Sequence, residues 1–195
     1  MLEKLGIPKF PQYVTRYILY SSLVFFTAML FGYYTALTHT EEALKAFAEL
    51  AEELASFVTL GPVTIFLLIF FNNAIKTFLV MILGVFFGIL PLFFLLINGY
   101  VLGVVAYLQT LEIGGWGVFW GLFPHGVIEI PALLIGASYG LWLGKKSYAK
   151  LNFKEPLRPH IMKAIHVFVT YLVPLFFIAA FIEVFITTFF FFSFI

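Results

Sequence analysis

The chain has no cysteine, which excludes disulfides and thiolate metal sites. It is also poor in charge. Charged residues are 11% of the total, where a soluble domain carries about a quarter. No basic cluster interleaved with aromatics is present, so nothing points to nucleic acid. There is no H-E-x-x-H, which disfavours a membrane metalloprotease. A nucleophile with its base, or a full metal ligand set, is likewise missing, so we read no enzyme and name no cofactor. No A-x-A cleavage site follows the first apolar run, so that run is an uncleaved span rather than a secretory signal.

Apolar residues fill the space that charge leaves. They make up 63% of the chain, with 27 Phe and 10 Tyr and a mean hydropathy of +1.06. That composition predicts an all-α polytopic membrane bundle, its aromatic side chains serving as packing surface and interface anchors. With 195 residues there is room for one membrane domain.

Breakers and charges divide the chain. Residues 1–16 are basic (Lys4, Lys9 and Arg16 against Glu3). Residues 40–58 form an acidic amphipathic helix: Thr40 can cap it, and Leu44, Phe47, Ala51, Leu54 and Val58 make one apolar stripe. Its five glutamates against Lys45 leave a net charge of −4. Residues 145–163 are a basic loop of net charge +5, carrying Lys145, Lys146, Lys150, Lys154, Arg158 and Lys163 against Glu155. A last span with its Phe-rich tail fills 164–195. Basic short loops stay in the cytoplasm. The N-terminus and the 145–163 loop are therefore expected inside the cell membrane, with the acidic helix and the C-terminus outside. Five spans satisfy that parity: 17–37, 74–90, 92–109, 126–144 and 164–182. Two half-helices, 62–72 and 118–125, would dip in from the outer side and return. A single long kinked span over 62–90 satisfies parity equally well.

A self-comparison at an offset of 52 supports the half-helices. It lays Leu68–Ala74 over Trp120–Gly126 and Gly84–Gly88 over Gly136–Gly140. Such a parallel repeat would place two broken helices around one midplane site. The pairs Gly84/Gly88, Gly99/Gly103 and Gly136/Gly140 predict close helix crossings, within the subunit or at a homodimer contact.

The ionisable and amide groups inside apolar sequence are the candidate site, because lipid offers them no partner. His125 and Glu129 are four residues apart and share a face if helical. Lys76 is the natural counter-charge, and Asn72, Asn73 and Asn98 add uncharged donors and acceptors. These six could line a binding or translocation site. A structural reading stands beside it: Glu129 paired with Lys76, and His125 serving backbone groups freed by Pro124 and Pro131. His125 and Glu129 supply two ligands at most, too few for a zinc site alone. His166 and Glu183 fall near the ends of the last span and read as interfacial.

Phe71-Asn72-Asn73, Gly84-Val85-Phe86-Phe87-Gly88, Asn98-Gly99-Tyr100-Val101-Leu102-Gly103 and Phe123-Pro124-His125-Gly126-Val127-Ile128-Glu129-Ile130-Pro131-Ala132 occur in that order. Together they resemble the stage II sporulation protein M family over about residues 60–145. The resemblance implies five spans with the N-terminus inside and the C-terminus outside, and it implies no catalytic residues. The family's sporulation member helps to localise a peptidoglycan-degrading complex. Two functions follow as expectations. The first is a conduit or carrier for an ion or small solute. The second is a non-catalytic scaffold that recruits a protein partner through the acidic helix or the basic loop. Lipids are partners on either reading.

Overall fold

The computed structural model describes residues 12–58, 61–153 and 156–187, without the side chains of 51, 53–58, 122, 125, 152–153 and 187. The described residues form an all-α bundle, as the composition predicts. Its helices are α1 (Gln12–Thr38), α2 (Thr40–Val58), α3 (Pro62–Leu83), α4 (89–113), α5 (115–153) and α6 (Arg158–Ile186). Five of them, all but α2, are long and apolar enough to cross a membrane.

Two expectations about breaks need correction. The half-helix at 62–72 does not exist as a separate element: α3 runs unbroken through Asn72 and Asn73. It is one span, as the alternative had it, but it ends at Leu83 rather than at residue 90. In lipid every backbone N–H and C=O must be paired within the chain, so the helix overrides the weak preference of two asparagines for other conformations. The half-helix at 118–125 is likewise the first part of α5, which continues through Pro124 and Pro131. Each proline removes one backbone donor, a defect that packed membrane helices tolerate.

The reversals occur at glycine instead. Gly114 (φ 70°, ψ 168°) separates α4 from α5. Phe87 (φ 59°) and Gly88 (φ 76°) turn the chain between α3 and α4. Positive φ is open to glycine at little cost. The aligned glycine pairs of the expected repeat therefore hold unlike positions: Gly84 and Gly88 make a turn, whereas Gly136 and Gly140 lie inside α5.

Glycine also sets the packing. A Cβ on Gly140 would meet Pro91, Val80 and Met81, and one on Gly144 would strike Gly88 and Phe87. Hence α5 runs antiparallel to α4 and alongside α3 in the same direction. On the other flank, Gly99 abuts Phe25 and Ala28 of α1, and Gly103 abuts Met29 and Tyr33. All three glycine pairs are thus consumed inside the subunit, and they no longer argue for a dimer. Helix α5 is the hub: 56% of its apolar window is buried, against 22–28% for the other spans. Ser138 of α5 donates to Leu134 O (2.5 Å), and its oxygen lies 3.0 Å from Ser21 Oγ on α1.

These contacts place the two ends of the bundle. The start of α1, the 84–88 turn, the end of α5 and the start of α6 share one end, where Tyr13 stacks on Trp142 and Lys163 lies over the Tyr13 ring. Residues 145–153, expected as part of a loop, are the last turns of α5. The α1–α2 junction and Gly114 share the other. Trp116, Phe119, Trp120 and Phe123 form a run of ring contacts there, an arrangement suited to the membrane interface. Thr40 does not cap α2. Its hydroxyl donates back to Ala36 O (3.1 Å) and lies 3.1 Å from Tyr107 Oη. The backbone passes almost helically through His39, which donates to Thr35 O (2.9 Å) and accepts from Ala43 N (3.0 Å), so the helical ladder bridges the junction.

Candidate functional site

Helix α3 supplies most of the polar groups at mid-depth. With a rise of 1.5 Å per residue, Asn72 and Asn73 lie about 15–17 Å along it, near its middle. Lys76 comes one turn later, about 10 Å from the end at Leu83. This corrects the position near the start of a span that a 74–90 helix implied: Lys76 is in the half of α3 nearer the 84–88 turn. Asn98 comes from α4 and Glu129 from α5.

These helices enclose a cavity of about 50 Å³ lined by Asn72, Asn73, Lys76, Thr77, Asn98 and Glu129, with Phe94, Leu133 and Phe176 as apolar wall. Five of the six side chains singled out from the sequence therefore meet around one space. The sixth, His125, has its side chain outside the described residues, though its backbone is part of α5 one turn before Glu129. The close packing that brings α3 against α5 explains the convergence. Gly136 lets Thr77 approach α5, and Phe176 of α6 closes the far side. The π-helical turn Phe168–Leu172 precedes Pro174 on α6. Proline cannot donate to the preceding turn, and such bulges absorb the defect.

The hydrogen bonding inside the cavity is incomplete. Asn98 donates Nδ2 to Phe94 O (2.8 Å), which leaves its Oδ1 toward other partners. Asn72 reaches Asn73 Oδ1 only at 3.4 Å, a long and weak contact. Among the described residues, Glu129 makes no hydrogen bond and no ion pair to Lys76. The paired Glu129–Lys76 arrangement is thus not formed: the two groups share a space without closing on one another.

Three participants were not among the candidates. Thr77 is buried and lines the cavity; its signal was its place beside Lys76 and one turn from Asn73. Phe176 looks like any other phenylalanine in an apolar span, and no pattern distinguishes it. Glu183 is half-buried on α6 and close enough to Glu129 for their charges to interact. A lone carboxylate in a long apolar helix was a usable signal, and its reading as interfacial gave it too little weight.

Asn98 has a further role as a divider. It borders the polar cavity and also two apolar grooves, one of about 680 Å³ between α1, α4 and α5, the other of about 660 Å³ between α3 and α4. Glu129 stands where the first groove meets the cavity, and Lys76 where the second does.

The ordered motifs around this cavity are those that carried the family resemblance, and residues 21–188 match the family described as stage II sporulation protein M. The chain belongs to the stage II sporulation protein M family. As a member with five membrane-length apolar helices, it is a multi-pass membrane protein. It is also similar to an uncharacterized protein of Methanocaldococcus jannaschii, 30% identical over 141 residues. That alignment covers 69% of this chain and 62% of the relative, so the chain spans under two thirds of the relative's length. No solved structure matches.

Proposed function

We propose that this family member is a conduit or carrier for an ion or a solute of similar size, with Asn72, Asn73, Lys76, Asn98, His125 and Glu129 at its site. The observation that carries this reading is the convergence of five of those side chains on one polar cavity at mid-depth. Polar groups in hydrocarbon are costly, and a fully paired set would explain them as scaffolding alone. Here Glu129 and Lys76 border a space without an ion pair between them. About 50 Å³ is room for one or two water-sized particles, which favours a monatomic ion or a proton with water over a larger solute. The basic end, where α1 and α6 start and α5 ends, is cytoplasmic on this reading, and α2 lies outside.

The test is flux into proteoliposomes across a panel of monovalent ions and small neutral solutes. Native protein should exceed empty liposomes. Asn98→Leu, which fills the dividing position with hydrocarbon, should lower flux at least tenfold in protein that elutes and melts like native. No native flux for any solute, or undiminished flux in the variant, would instead favour a scaffold. The scaffold has its own supporting feature: Leu44, Phe47 and Leu50 of acidic α2 are exposed, offering apolar surface to a protein partner.

A further inference from the structure

The larger groove between α1, α4 and α5 has a different chemistry from the polar cavity. It runs from Asn98, Glu129 and Leu134 toward Ala106, Val118 and Phe119, that is, from mid-depth toward the end of the bundle that holds Gly114. Its volume of about 680 Å³ lies inside the ~300–1,000 Å³ range of small-molecule sites. Hydrocarbon side chains line it almost throughout. Glu129 is the one charged residue that borders it among the described residues, and Asn98 the one amide. Aromatic rings flank it from two helices: Phe119 and Phe123 stack at 4.5 Å on α5, while Phe25 and Phe26 pack edge to face at 5.4 Å on α1.

We infer that this groove binds a lipophilic cation, an ammonium or phosphonium carried on an apolar body. Among the described residues Glu129 has no ion-pair partner, and a carboxylate at the border of an apolar groove attracts positive charge strongly, because little solvent screens it. The faces of phenylalanine rings add cation–π attraction, worth about 0.5–2 kcal/mol per contact depending on desolvation. An anionic amphiphile would bring like charge to Glu129. A neutral one would gain from the walls and nothing from the carboxylate. Charge complementarity therefore selects the occupant. The inference shares Glu129 and Asn98 with the proposed conduit and otherwise stands on different residues.

One residue offers a clean block. Among the described residues, a Cβ on Gly126 would meet only Ile130 Cδ1, at 3.6 Å, so Gly126→Leu projects bulk into the groove without striking described backbone. The experiment is equilibrium binding of radiolabelled tetraphenylphosphonium to the full chain in nanodiscs. Saturable binding is expected in the native protein, at least tenfold weaker in Glu129→Gln and in Gly126→Leu, and several-fold weaker in Phe119→Leu. Asn73→Leu alters the polar cavity but not the groove, and should bind within about twofold of native even where it stops ion flux. Loss of flux with retained binding thus separates the two readings. Neutral triphenylphosphine oxide should compete poorly. Equal competition by the neutral compound, or undiminished cation binding in folded Glu129→Gln and Gly126→Leu, would overturn the inference.

Discussion

Gly84→Leu is expected to destabilise the bundle by about 3 kcal/mol or more, at the upper end of overpacking costs. In a chain of this size that corresponds to a fall of roughly 10 °C in melting temperature. The reason is the identity of the obstructing atoms. A Cβ on Gly84 would collide with the carbonyl, carbonyl carbon and Cα of Gly140. Main chain cannot rotate away as a side-chain tip can, so α3 and α5 would have to separate. Separation would also undo the neighbouring contacts of Gly136 with Thr77 and of Gly144 with Gly88. Gly115→Ala is the control. Among the described residues nothing lies within 4 Å of a Cβ at that position, and it is helical, so the substitution should be neutral or stabilising by about 0.5–1 kcal/mol. Thermal melting in one detergent would compare the two. A Gly84→Leu protein as stable as native would mean that the helix crossing is looser than described.

The second large effect concerns the sign of the permeant ion. Lys76 and Glu129 border the same small cavity with opposite charges, and Glu183 lies within electrostatic range of Glu129. A unit charge about 5 Å away at an effective dielectric near 20 contributes roughly 3 kcal/mol. That is about two orders of magnitude in ion occupancy. Lys76→Met removes the positive charge and should shift the reversal potential of reconstituted protein toward cation selectivity. Glu129→Gln should shift it toward anions. Opposite shifts of this kind are hard to obtain from general damage, because misfolding lowers flux without choosing a sign. Identical reversal potentials in both variants would remove these two side chains from the permeation path.

Much of the fold was legible in the sequence because lipid imposes a simple rule. Apolar runs of sufficient length must be helices. What sequence could not weigh was the strength of that rule at Asn72-Asn73 and at Pro124. Breakers that end a helix in water leave unpaired backbone in a membrane, so α3 and α5 continue through them. The same error propagated to Lys76, whose depth depends on where α3 begins. The glycine motifs were legible as close crossings. Their partners were not, since nothing in Gly84-x-x-x-Gly88 says that it meets Gly140 and Gly144 rather than a second copy. At the site, Asn72, Asn73, Lys76, Asn98 and Glu129 stood out because each is expensive in hydrocarbon. Phe176 completes the same cavity and carries no such mark.

The natural absence of cysteine provides a direct measurement. Single cysteines can be placed at Asn73, on the cavity wall, and at Ile75, two residues along α3 and exposed on its surface. Each would be treated with a charged, membrane-impermeant thiol reagent in proteoliposomes. A water-accessible polar cavity predicts that Asn73→Cys is modified rapidly, and that Asn98→Leu in the same chain slows it at least tenfold. Ile75→Cys, facing lipid, should remain unreactive. Folded Asn73→Cys protein that resists the reagent as fully as Ile75→Cys would contradict a conduit through this cavity.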